Sequence, residues 1–157
     1  MCFFMLRNVY RAGYGGALDF FYPETATHRP IPFFLCCVQA GFPSPAEDYL
    51  EAQLDLHQLL IKNPSSTFFV RVIGNSMRGA EIDEGDILVV DRKIKPCDGM
   101  IAVCCVNGSY TVKRLNLRKD GTVHLLPENP SMPVIQLQDL EELRVFGVVT
   151  TIIKRLL

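Results

Sequence analysis

The chain has 157 residues, enough for one domain with an appendage. Hydrophobic residues make up 48% and charged residues 21%, a balance that fits a packed domain and argues against a disordered chain. With a net charge of −1 and a sequence pI of about 6.3, bulk charge offers no attraction to a phosphate backbone, so direct sequence-specific DNA binding is not expected.

Residues 1–40 do not read as a domain. Gly13, Gly15, Gly16, Pro23, Pro30 and Pro32 interrupt the stretch repeatedly, and no helical or strand period survives them. Its many aromatics, among them Phe3, Phe4, Phe20, Phe21, Phe33 and Phe34, suit a segment that lies against another surface. Met5 is a nearby alternative start. The apolar start ends at Arg7, and the run Ile31–Val38 carries Pro32, so neither has the length of a membrane span. The start also lacks the long apolar region of a signal peptide.

Six cysteines (Cys2, Cys36, Cys37, Cys97, Cys104, Cys105) show no C-x-x-C pair, hence neither zinc spacing nor a redox motif. Cys104 and Cys105 lie in an apolar run and read as small strand residues. A reducing, cytoplasmic compartment is the expectation.

Beyond Ala40-Gly41-Phe42-Pro43, Ser44-Pro45-Ala46-Glu47 has the form of a capped helix start. Asp55 caps a second short helix, with Leu56, Leu59 and Leu60 on one face and Asn63-Pro64 as its stop. From Thr67 onward the chain reads as β. The apolar runs are Phe68–Ile73, Ile87–Val90, Ile101–Val106, Tyr110–Leu115, Val123–Leu126, Val134–Leu137 and Val145–Ile153, separated by turn residues. The predicted fold class is mostly β, compact and antiparallel, with short N-terminal helices and an extended N-terminal arm. Asn107-Gly108 predicts a two-residue type I′ hairpin joining Ile101–Val106 to Ser109–Leu115.

One loop is chemically suggestive. Gly74-Asn75-Ser76-Met77-Arg78-Gly79 follows a strand, and a Ser between glycines can expose its hydroxyl beside backbone N–H groups. Taken alone, such a Ser is more often an ordinary loop residue. His28, His57 and His124 are weak candidates for its base: one in the irregular arm, one on a short helix, one alternating on a strand. No cluster has metal-ligand spacing and no glycine loop cradles phosphate, so neither metal nor cofactor is expected. Lys93, Lys95, Lys119 and Lys154 sit in turns or near the terminus. Lys113 shares a strand face with Thr111 and Leu115, where its amine could be desolvated. By pattern alone, a snorkelling Lys with its head in water is the favoured reading.

Ser76 and Lys113 lie 113 − 76 = 37 positions apart. Together with Ala40-Gly41-Phe42-Pro43-Ser44-Pro45-Ala46-Glu47-Asp48-Tyr49, Asp55–Ile61, Asp86–Asp91 and Val145–Val149, they resemble the LexA/UmuD self-cleaving family of S24-like Ser-Lys peptidases, in its UmuD branch. The resemblance covers roughly residues 32–157. It implies a nucleophile at Ser76, a general base at Lys113, an oxyanion hole from the backbone N–H groups of Ser76 and Met77, and a cleavage site at Ala40-Gly41. It implies an arm, residues 1–40, removed from a β domain, residues 41–157. It also implies a homodimer, activation by RecA on single-stranded DNA, and a UmuC-like Y-family polymerase as partner in translesion synthesis during the SOS response. The UmuD branch has Cys before the cleaved Gly where this chain has Ala40, and Ala-Gly is the pair that the LexA branch uses. Residues 1–16 have no counterpart in the family.

Three other readings compete. A signal peptidase would need a membrane anchor. A UmuD-like interaction module with an unused dyad would regulate a polymerase without cutting. A fragment of a LexA-type repressor would need a helix-turn-helix domain, which the glycine- and proline-broken residues 1–40 cannot hold.

Overall fold

A computed structural model describes residues 18–21, 31–34, 51–137 and 143–156. Its strands are β1 (Leu18–Phe21), β2 (Ile31–Phe34), β3 (Glu51–Leu54), β4 (Thr67–Val72), β5 (Ile87–Asp91), β6 (Ile101–Val106), β7 (Ser109–Leu117), β8 (Val123–Leu126), β9 (Ile135–Leu137) and β10 (Leu143–Ile153). One α-helix, α1 (Leu56–Leu60), and a 3-10 turn at Arg78–Ala80 complete the described elements. They fall into two units: β2, β3 and α1 in one, β1 with β4 to β10 in the other.

In the smaller unit, β2 and β3 pair antiparallel, with Ile31 opposite Leu54 and Phe34 opposite Glu51. Asp55 caps α1 as the sequence predicts, its carboxylate accepting from the N–H groups of His57 and Gln58 at 2.8 and 3.3 Å. Leu56 and Leu59 are exposed.

In the larger unit every pairing is antiparallel, and the sheet order is β1-β4-β5-β10-β6-β7-β8-β9. All seven runs read from Thr67 onward are strands. The Asn107-Gly108 hairpin is present: both residues have positive φ, 48° and 78°, which a type I′ turn requires and which Asn and Gly tolerate best. It sets the register Val106↔Ser109 through Ile101↔Arg114.

Three strands correct the sequence reading. β1 and β2 lie within residues 1–40, where no strand period was expected, and β3 occupies residues that carry no β signal. Each is four residues long, and its partner is remote in sequence, so the local pattern does not announce it. Pro32 lacks an N–H, which a two-stranded ribbon tolerates because each strand has a free edge. The predicted helix start at Ser44, together with residues 1–16, His28, Ala40 and Gly41, lies outside the described residues.

The two faces of the sheet carry two apolar clusters. The first gathers Phe68, Val70 and Val72 from β4, Leu88 and Val90 from β5, Val103 and Val112, and adds Met77 and Ile82 from the loop after β4. The second gathers Ala102, Cys104, Leu115, Val123, Leu125 and Leu137. Alternation decides which residue goes where: on β7, Val112 faces the first cluster and Leu115 the second. Lys113 therefore shares the face of Leu115. β10 pairs with both β5 and β6, and its register shifts at Val145/Gly147 and at Val149/Thr151 are bulges that re-aim the strand between them.

Candidate active site

The loop after β4 is closed at its neck. Val72 N–H donates to the Asp86 carbonyl, and Gly85 N–H to the Val72 carbonyl, both at 2.9 Å. Between these ends Met77 is the plug, 2% exposed and packed in the first cluster. Its carbonyl accepts from Ala80 N–H at 3.0 Å and Ile82 N–H at 3.3 Å, which winds the chain into the short 3-10 turn. Anchoring Met77 in one face of the sheet leaves its neighbour Ser76 half-buried at the surface of the fold.

Lys113 reaches the same point from β7. Its Nζ lies 2.8 Å from Ser76 Oγ, 3.0 Å from Thr111 Oγ1 and 3.0 Å from the Val112 carbonyl oxygen. The residue is 6% exposed, so the amine is buried and not snorkelling. Burial holds its pKa below the ordinary lysine value. The thiol of Cys104 is pushed up to about 12, chiefly by burial. It is therefore uncharged at physiological pH and does not restore the lysine's charge there.

The three contacts limit what a neutral Lys113 can do. A neutral amine has two N–H groups and one lone pair. The Val112 carbonyl can only accept, so it takes one N–H. The hydroxyls of Thr111 and Ser76 can each accept the second N–H or donate to the lone pair. In the arrangement that serves catalysis Thr111 Oγ1 accepts and the lone pair faces Ser76, whose O–H donates to it. The geometry orients a base toward a hydroxyl within hydrogen-bond reach, the arrangement nucleophilic catalysis requires. Among the described residues, the N–H groups of Ser76 and Met77 take part in no hydrogen bond, while those of Arg78, Gly79, Ala80 and Ile82 are all bonded.

The chain is similar to known proteins. A family model described as peptidase S24-like matches residues 32–150. The chain belongs to the S24-like peptidase family. It is 45% identical over 121 residues to Protein MucA of Escherichia coli, covering 76% of this chain and 82% of that protein. It is 46% identical over 124 residues to Protein SamA of Salmonella typhimurium, covering 79% and 85%. With Protein ImpA of Escherichia coli the identity is 41% over 142 residues, covering 84% and 96%. The family read from the sequence is thus the family to which the S24-like chain belongs, and its mostly β fold is the one described above.

Sequence reasoning overlooked several residues around the dyad. Thr111 was legible only as a neighbour on the strand face, and its i, i+2 spacing to Lys113 was the available signal. Glu128 and Asn129 carried none. Glu128 N–H donates to the Ser76 carbonyl at 2.8 Å, its carbonyl accepts from Gly79 N–H at 2.6 Å, and Asn129 Nδ2 donates to the Asn75 carbonyl at 3.0 Å. Among the described residues, His124 makes no hydrogen bond to Lys113 or Ser76. No three His, Cys, Asp or Glu side chains gather as a metal ion would require, again among the described residues. An open, largely apolar pocket of about 590 Å³ lies elsewhere, lined by Ile82, Ile94, Met100, Ile101, Arg114 and Ile152 among others. Arg114 alternates with Lys113, so the pocket is on the other side of β7 from the dyad. No described helix is long and apolar enough to cross a membrane.

Proposed function

We propose that this S24-like peptidase is a self-cleaving Ser-Lys endopeptidase of SOS mutagenesis, whose substrate is its own arm. The observation that carries the reading is the 2.8 Å contact between the buried Lys113 Nζ and Ser76 Oγ. Neutral Lys113 takes the proton of Ser76 Oγ as that oxygen attacks the carbonyl carbon of Ala40. The oxyanion develops toward the N–H groups of Ser76 and Met77. Collapse breaks the Ala40–Gly41 bond, and Lys113 passes its proton to the Gly41 nitrogen, which leaves as an amine. The acyl group on Ser76 is then hydrolysed by water, with Lys113 again as base. Residues 1–40 and 41–157 are the products.

A base that acts only when neutral restrains the reaction wherever the lysine is protonated, so cleavage speeds up as pH rises. RecA on single-stranded DNA promotes the productive state, and the processed homodimer joins a UmuC-like Y-family polymerase in translesion synthesis in the cytoplasm. Family membership and the relatives' similarity support this setting. Incubation with a RecA–single-strand filament, followed by intact-mass measurement, tests it. Filament-dependent fragments meeting at Ala40-Gly41 support the reading. A chain that stays whole with the filament, in the presence of nucleotide, favours the interaction module with an unused dyad.

A further inference from the structure

The two halves of the dyad do not sit on neighbouring strands. Ser76 follows β4 and Lys113 is on β7, and β5, β10 and β6 lie between those strands in the sheet. Strand pairing alone therefore leaves the loop's distance from Lys113 to be set by something else. The segment after β8 makes the connection. Its backbone brackets the nucleophile, with Glu128 N–H on the Ser76 carbonyl and Gly79 N–H on the Glu128 carbonyl. The fit is close: a Cβ on Gly79 would stand 2.6 Å from the Glu128 carbonyl oxygen, so the loop reaches this contact only because residue 79 has no side chain.

The side chain of the same Glu128 reaches the strand that carries the other half of the dyad, on the face opposite Lys113. Its carboxylate Oε1 accepts from Nε of Arg114, the residue after Lys113. Arg114 is itself tied down, donating through Nη1 to the Gly99 carbonyl at 2.7 Å. Glu128 thus grips the nucleophile's loop with its backbone and the base's strand with its carboxylate.

We propose that the Glu128–Arg114 ion pair is a positioning device that holds Ser76 within proton-transfer distance of Lys113. The proposal rests on the peptidase reading for its catalytic consequence and on the described geometry for its mechanical one. Among the described residues neither Glu128 nor Arg114 hydrogen-bonds Ser76 Oγ or Lys113 Nζ; they act through the loop and the strand they fasten. An isosteric loss of charge in Glu128→Gln, or loss of the guanidinium in Arg114→Met, frees one end of the link and leaves the sheet intact.

The test compares self-cleavage in the full chain with Glu128→Gln, Arg114→Met, Arg114→Glu and the reversed pair Arg114→Glu/Glu128→Arg. The single variants are expected to cut at least tenfold more slowly at alkaline pH, with thermal midpoints close to the parent's. The reversed pair is expected to recover at least tenfold over Arg114→Glu alone. A residue of merely structural importance would lower stability and rate together and would not be rescued by reversing the charges. Hydrogen exchange at the Gly79 amide supplies a second readout: it is expected to quicken at least tenfold in Glu128→Gln, while amides of β5 and β6 keep their rates. Single variants within twofold of the parent in both cleavage and Gly79 exchange overturn the proposal. A parent chain uncut under every condition overturns the peptidase reading instead, and the Gly79 exchange then decides alone whether the pair holds the loop.

Discussion

Thr111→Val removes one oxygen and keeps the side chain's shape, so it isolates the contact at 3.0 Å between Thr111 Oγ1 and Lys113 Nζ. Two effects of opposite sign follow. The oxygen accepts more strongly from an ammonium than from an amine, so its loss favours the neutral base and moves the pH midpoint of cleavage downward. The loss also lets the amine turn about its last bond, so its lone pair is no longer directed at Ser76. A hydrogen bond of this kind contributes about 1–2 kcal/mol. At about 1.4 kcal/mol per factor of ten in rate, the alkaline plateau should fall roughly five- to thirtyfold. First-order rates of self-cleavage, measured by gel densitometry from neutral to strongly alkaline pH, separate the two effects. A lower midpoint with a lower plateau supports the geometry drawn above. A plateau equal to the parent's would refute the claim that Thr111 orients the base.

The remaining expectations concern the parts that support this chemistry. Met77→Ala empties a site that is 2% exposed and should cost about 2–4 kcal/mol in urea unfolding; a loss well under 1 kcal/mol would contradict its role as the loop's anchor. Lys113→Met tests linkage. Because the folded pKa is held below the unfolded one, the unfolded chain binds more protons in the interval between them, and parent stability relative to the variant rises with pH there. The handicap is full below the folded pKa and gone above the unfolded value, so a difference in urea midpoint that stays flat with pH would contradict burial of the amine. Among the described cysteines, Cys97 is exposed and should react first with a thiol reagent, whereas Cys104, buried and pushed up to about 12, should label only on unfolding. Peptide mapping that finds Cys104 labelled in the native chain would contradict its place in the core.

What could be read from the sequence was whatever local pattern determines. The seven strands after Thr67 follow from apolar alternation between turn residues, and Asn107-Gly108 names its own hairpin. Ser76 and Lys113 were joined as a pair by the family resemblance; taken alone, a glycine-flanked Ser reads as an ordinary loop residue and a Lys on a strand as a snorkelling one. Burial of Lys113 was not legible, since the same pattern serves a snorkelling side chain. That outcome depends on the loop of Ser76 closing over the strand, which Met77 arranges by entering the opposite face. β1, β2 and β3 escaped notice because each is only four residues long and its hydrogen bonds go to a distant partner, with β1 and β2 set among prolines and glycines and β3 lacking β-favouring residues. Glu128 was invisible for a different reason: its contribution to Ser76 is made by backbone atoms, which every residue type possesses.

The central claim is that Lys113, when neutral, draws the Ser76 proton and that the bond broken is Ala40–Gly41. Intact-mass measurement of the purified chain held at alkaline pH, without any partner, tests it most directly beside Ser76→Ala and Lys113→Ala. The account predicts two fragments, residues 1–40 and 41–157, forming faster as pH rises and absent in both variants. Fragments that persist in either variant, or a cut at another bond, would contradict it.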